Sequence, residues 1–81
     1  MARPPTRYEA AAPYHGSVVL TDRERQIVQL MANGLSKKMV ARQLFVSEST
    51  VKTLAVSAYR RNDVHSMVHL VAVALRCGAI R

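Results

Sequence analysis

The stretch that decides the fold runs Gly34-Leu35-Ser36-Lys37-Lys38-Met39-Val40-Ala41-Arg42-Gln43-Leu44, then Phe45-Val46, then Ser47-Glu48-Ser49-Thr50-Val51-Lys52. Ser36 and Ser47 each stand just before a run with helical spacing. A serine there accepts a hydrogen bond from a backbone N–H in the first turn, which otherwise has no partner. Met39, Val40 and Leu44 give the first run its apolar face, and Ala41 is small enough for a close approach. Glu48 puts a negative charge in the first turn of the second run, where the helix dipole favours it. The spacing predicts a helix over 37–44, a turn of a few residues, and a second helix over 48–61.

Both flanks continue the pattern. Upstream, Leu20-Thr21-Asp22-Arg23-Glu24 reads as a capping box, with Thr21 as the cap, Glu24 three residues on, and Leu20 as the preceding apolar residue. Ile27, Val28, Leu30 and Met31 then share one face, and Asn33-Gly34 ends the helix, predicted over 22–32. Downstream, residues 62–65 break the chain, Ser66 caps a fourth helix over 67–77, and Gly78 closes it. Neither a strand pattern nor an internal repeat is visible. Residues 1–18 hold all three prolines (Pro4, Pro5, Pro13) and no lasting periodicity, which predicts a flexible arm. The expected fold is all-α: a four-helix bundle over 19–81 with a central helix-turn-helix, preceded by that arm.

Composition narrows the function. Eighty-one residues make one domain with a modest core. Twelve Lys and Arg against five Asp and Glu give a formal net charge of +7, which suits a polyanionic partner such as nucleic acid. Cys77 is the only cysteine, so no internal disulfide can form. No segment approaches the roughly 20 apolar residues of a membrane span, and no apolar core of a signal peptide follows Arg3 and Arg7. The expected setting is the cytoplasm, without membrane contact. His15, His65 and His69 share no metal-ligand spacing with Cys77, and no nucleophile, base and orienting acid come together. Neither metal, cofactor nor catalytic activity is expected.

Two short helices joined by a tight turn, the second starting Ser-x-x-Thr-Val-Lys, describe a helix-turn-helix. The first helix crosses the second and fixes its angle. The second then offers an exposed face to a major groove about 12 Å wide. Ser47, Ser49 and Thr50, at its start, are placed to hydrogen-bond phosphate. Along it, Val51, Ala55, Ala58 and Asn62 fall on one face, and Ser49, Lys52, Thr53, Val56 and Arg60 on another, with Arg60 and Arg61 suited to phosphates.

These residues resemble the LuxR-type (GerE- or NarL-type) DNA-binding domain. The likeness rests on Leu20-Thr21-x-Arg23-Glu24-Arg25, Gly34-Leu35-Ser36-x-Lys38, Ala41-x-x-Leu44-x-Val46-Ser47-x-x-Thr50-Val51-Lys52 and Ala72-x-Ala74-x-x-x-Gly78-x-Ile80. It covers residues 20–80. Region four of a sigma factor shares Leu-Thr-x-Arg-Glu-Arg and Thr-Val-Lys, but the capped fourth helix ending in Gly-x-Ile favours the LuxR type. The resemblance implies a transcription-regulating domain that binds duplex DNA as a homodimer through its last helix. It makes the face with Val51 the core face, and matches Lys52, Thr53 and Val56 to positions that touch bases. Lys37 and Lys38 match positions near the phosphate backbone. Family members usually sit behind a receiver or sensing domain; none stands in these 81 residues, so a stand-alone member is expected.

The departures are specific. After Lys-x the family usually has His and a large aliphatic residue, where Leu54 and Ala55 stand. It usually has Ile at the place of Ala58, and Leu-Gly at the place of Asn62-Asp63. The buried face of the third helix is thinned, and Leu70 is expected to refill the space, with Met67 and Leu54 helping. The fourth helix is apolar nearly all round, so it is expected to be covered on two sides. Leu70, Val71, Ala74 and Leu75 are assigned to the domain's own core. His69, Ala72, Val73, Arg76 and Cys77 are assigned to a dimer face. The alternative function is a helix-turn-helix that binds RNA polymerase or another regulator rather than an operator.

Overall fold

The computed structural model describes residues 18–81. The arm expected over 1–18 therefore lies, except for Val18, outside the described residues. Four helices follow one another: α1 (Asp22–Ala32), α2 (Lys37–Leu44), α3 (Glu48–Arg61) and α4 (Met67–Arg76). The first three bounds match the sequence reading, and α4 ends one residue early because Cys77 serves as its cap.

Each helix starts where a hydroxyl can hold it. Thr21 accepts from Glu24 N while Glu24 Oε1 accepts from Thr21 N, which completes the capping box. Ser36, Ser47 and Ser66 accept from the backbone N–H of Met39, Thr50 and His69. Gly34, at φ +99°, makes the left-handed turn that reverses the chain after α1. Phe45 ends α2 in the same left-handed region, at φ +58°, which is uncommon for a bulky residue.

The core has two parts that meet along α1. Val28 joins Ala58, Val64, Leu70, Val73, Ala74 and Ile80. Ile27, the next residue round α1, joins Val40, Ala41 and Val51. The first part fixes α4 and the chain end against α3. The second packs the helix-turn-helix. Met67 touches both.

Two departures from the family pattern have structural answers. Asn62 is fully buried, and its side chain is fully engaged. Its Oδ1 accepts from Val19 N at 2.7 Å, and its Nδ2 donates to Val19 O at 2.8 Å and to Ala58 O at 2.9 Å. The residue thus ties the extended entry segment to the end of α3. Asp63 takes φ +54°, a conformation its short polar side chain tolerates better than most.

The thinned face of α3 is refilled only in part. Leu70 is fully buried in the cluster that holds Ala58, as the sequence predicts. Beside Ala55 a hollow of ≈ 270 Å³ remains.

The orientation of α4 corrects the sequence reading. Val73, assigned to a dimer face, is 1% exposed and sits in the domain's own core. Leu75, assigned to the core, is 48% exposed. A helix apolar all round carries no stripe to orient it. The buried sector follows Leu70, Val73 and Ala74, which Val64 and Ile80 cover from the two flanking segments. The outward apolar stripe is instead Val68, Ala72 and Leu75, of which Val68 is 81% exposed.

Candidate nucleic-acid interface

The packing of α3 decides which of its side chains face outward. Val51, Ala55, Ala58 and Asn62 are all buried. On the other side Lys52, Thr53, Val56 and Arg60 line one shallow concavity of ≈ 420 Å³, together with Ser57. All four of these sequence-expected residues are therefore neighbours on one face. Ser57 joins the face outside the residues expected from the sequence; its place one turn after Thr53 on the same helical period is the signal for it.

At the start of α3, Ser49 and Thr50 are exposed. Ser47 Oγ accepts from Thr50 N at 3.0 Å and donates to Thr50 Oγ1 at 2.9 Å. The Ser47 hydroxyl is thus spent on the cap, and the Thr50 hydroxyl keeps its own proton to donate. Lys37 and Lys38 stand exposed in the first turn of α2. Among the described residues none of Lys37, Lys38, Lys52 and Arg60 joins an ion pair, so their charges are available.

Arg61 differs from its neighbour. One residue is a turn of about 100° round a helix, and that step carries Arg61 away from the concavity toward α1. Its guanidinium pairs with the Glu24 carboxylate, which is 2% exposed, and reaches back to Ser57 Oγ at 3.2 Å. The sequence reading gives Arg61 a phosphate role only; in the structure its guanidinium is the counter-charge of a buried acid. In the sequence Glu24 reads as a capping residue and as part of the family signature, and nothing in the local pattern ties it to a residue 37 positions on.

Tyr59 lies on the flank of α3, half-buried against the core. Burial pushes its phenol above the ordinary value, so it stays protonated. Phe45, in the turn before α3, is 94% exposed. Among the described residues no group of three or more His, Cys, Asp and Glu is placed to hold a metal.

An α2–turn–α3 unit braced by two outer helices, with lysine and arginine on the free face of α3, defines a helix-turn-helix domain. Residues 18–74 match the family of bacterial regulatory proteins called luxR, and the chain belongs to that family. The fold is similar to the solved transcription factor GerE, with a TM-score of 0.73 and 32% identity over 76% of this chain and 92% of that one. An Escherichia coli protein named as the uncharacterized response regulatory protein YgeK is 40% identical over 65 residues, 80% of this chain and 44% of its own length. A Mycobacterium tuberculosis protein named as an HTH-type transcriptional regulator is 41% identical over 73 residues, 90% of this chain and 8% of its own. Transcriptional regulatory protein FixJ of Bradyrhizobium diazoefficiens is 31% identical over 81 residues, 98% of this chain and 40% of its own. The chain thus spans less than half the length of these three relatives.

Proposed function

We propose that the domain binds duplex DNA in a sequence-specific way and regulates transcription, with α3 in the major groove. The observation that carries this reading is the concavity on α3. It joins two cations that form no ion pair among the described residues, two hydroxyls and a small apolar side chain on one outward face. Lys52 suits a base edge or phosphate, Thr53 a base or a phosphate oxygen, Val56 a thymine methyl, and Arg60 the backbone. Lys37, Lys38, Ser49 and Thr50 add backbone contacts. The names of the relatives and the fold of GerE support the same reading. In a cell such a domain works where the chromosome is, in the bacterial cytoplasm. No helix among the described residues is long and apolar enough to cross a membrane.

Lys52→Ala is expected to weaken binding to a preferred duplex about 10- to 100-fold, the range of one good base contact. Arg81→Ala should change it little, since that side chain stands at the chain end, away from α3. Fluorescence anisotropy checks both. Equal losses would remove α3 from its role.

The same reading includes a homodimer through α4. Val68, Ala72 and Leu75 form an outward apolar stripe, flanked by His69, Val71 and Arg76. Exposed apolar strips on small domains mark contact surfaces. Pairing there is compatible with two recognition helices set about 34 Å apart, one helical turn of DNA. Val68→Asp should split the dimer. It places a carboxylate in the first turn of α4, which favours it, so helix content should stay unchanged. Sedimentation analysis checks this, and a wild-type chain that stays monomeric on DNA would contradict it. The exposed aromatic of Phe45 also favours a protein partner beside DNA, such as RNA polymerase or another regulator.

A further inference from the structure

The hollow beside Ala55 is a product of this chain's own sequence. The resemblance places a large aliphatic residue there, and Ala55 leaves the volume open behind α3. Val51, Ala55 and Val56 of α3 line it together with Met31 and Met67. These surfaces are apolar, and the two thioether chains adapt to varied shapes. Tyr59 is also on the lining and brings a phenol O–H. The only charged residues on the lining are Lys37 and Lys52, both cationic and neither in an ion pair among the described residues.

We infer that this groove binds a small organic carboxylate with an aromatic or branched apolar body, the body against Ala55 and the carboxylate between Lys37 and Lys52. At ≈ 270 Å³ the groove falls just below the roughly 300–1,000 Å³ of drug-sized sites, so it suits about ten non-hydrogen atoms. An apolar lining with a few convergent polar groups is the general form of such sites. The charges select the sign of the ligand.

Position makes the site a control point. Lys52 and Val56 line both this groove and the DNA-facing concavity. A carboxylate that holds the Lys52 ammonium takes it from DNA, so ligand and DNA compete. Coupling of this kind is reciprocal: each weakens the other by the same factor. Only this competition rests on the proposed DNA binding; occupancy of the groove does not.

The test is an NMR titration of the full chain, without DNA, using phenylacetate as the probe. Saturable shifts of Ala55, Tyr59 and the Met31 and Met67 methyls are expected, with a Kd on the order of 1 mM or tighter. Acetate lacks the apolar body and phenylethylammonium reverses the charge; both should bind at least about tenfold more weakly, as loss of one charged or apolar contact requires. Ala55→Leu fills the groove and should abolish the shifts while retaining helix content. Should Leu prevent folding, Ala55→Val must weaken the probe in proportion to the smaller volume it fills. In a second arm, saturating phenylacetate should weaken the binding of a preferred duplex by the wild type but not by Ala55→Leu. Equal binding of all three probes, or undiminished binding by a folded Ala55 variant, would overturn the inference. So would shifts there that depend on protein concentration alone. A chain that binds phenylacetate but no duplex would leave the groove standing and remove the DNA reading.

Discussion

Leu70→Ala is expected to cost about 2–5 kcal/mol in urea denaturation, the usual range for a buried leucine cut to alanine. Leu70 is fully buried, and its neighbours in the core include Ala58, Val28 and Val73. None of these is large enough to close the gap by a change of rotamer. A domain of this size has about 3–10 kcal/mol of stability in all, so the loss is a large share. The companion change Ala58→Ile should destabilise when made alone, because extra methylenes in a filled core force strain of about 1–3 kcal/mol. Made together, the two should recover part of the loss, with a coupling of about 0.5–3 kcal/mol. Simple additivity would mean that Leu70 does not occupy the space Ala58 leaves.

The second large effect is expected at Arg61. Arg61→Ala should destabilise the domain by about 3 kcal/mol, because it strands the buried Glu24 carboxylate without its counter-charge. The figure sits at the low end of the range for broken buried pairs, since the Arg61 side chain is 34% exposed, so solvent screens the pair, and the Thr21 N–H still donates to the same carboxylate. Arg60→Ala, one position back, should leave the unfolding midpoint close to wild type and weaken DNA binding instead. Urea denaturation and anisotropy on both variants separate the two roles. A stable Arg61→Ala protein with impaired DNA binding would show that the arginine serves phosphates after all.

Most of the fold is legible in the residues because its signals are local. Thr21 with Glu24, and Ser36, Ser47 and Ser66, each declare a helix start within three residues, and all four are found as caps. The faces of α3 are also legible. Val51 and Lys52 differ by one step on a helix that buries Val51, Ala55 and Ala58 on one side and carries Lys52 and Arg60 on the other. The orientation of α4 is not legible, because Val68, Val71, Val73 and Leu75 give every face an apolar residue. Which one turns inward depends on Val64, Ile80 and the small side chains of α3, which are distant in sequence or set by packing. Arg61 fails for a related reason: its partner Glu24 lies on another helix. Asn62 looks like a helix breaker in one dimension and is a clamp on Val19 in three. The hollow at Ala55 was half legible, as missing volume whose refilling only the fold could decide.

The central claim is that the free face of α3 reads duplex DNA. It is tested most directly by selecting duplexes from a random pool with the full chain, then titrating the best against salt. The account predicts one enriched sequence family, protected in the major groove. If a dimer uses Lys37, Lys38 and Arg60 from each subunit, affinity should fall about 10³-fold between 50 and 200 mM salt, as release of six or so counterions demands. Lys52→Ala should lose the preference for the enriched family. Failure to enrich any duplex, or binding that salt leaves unchanged, would contradict it.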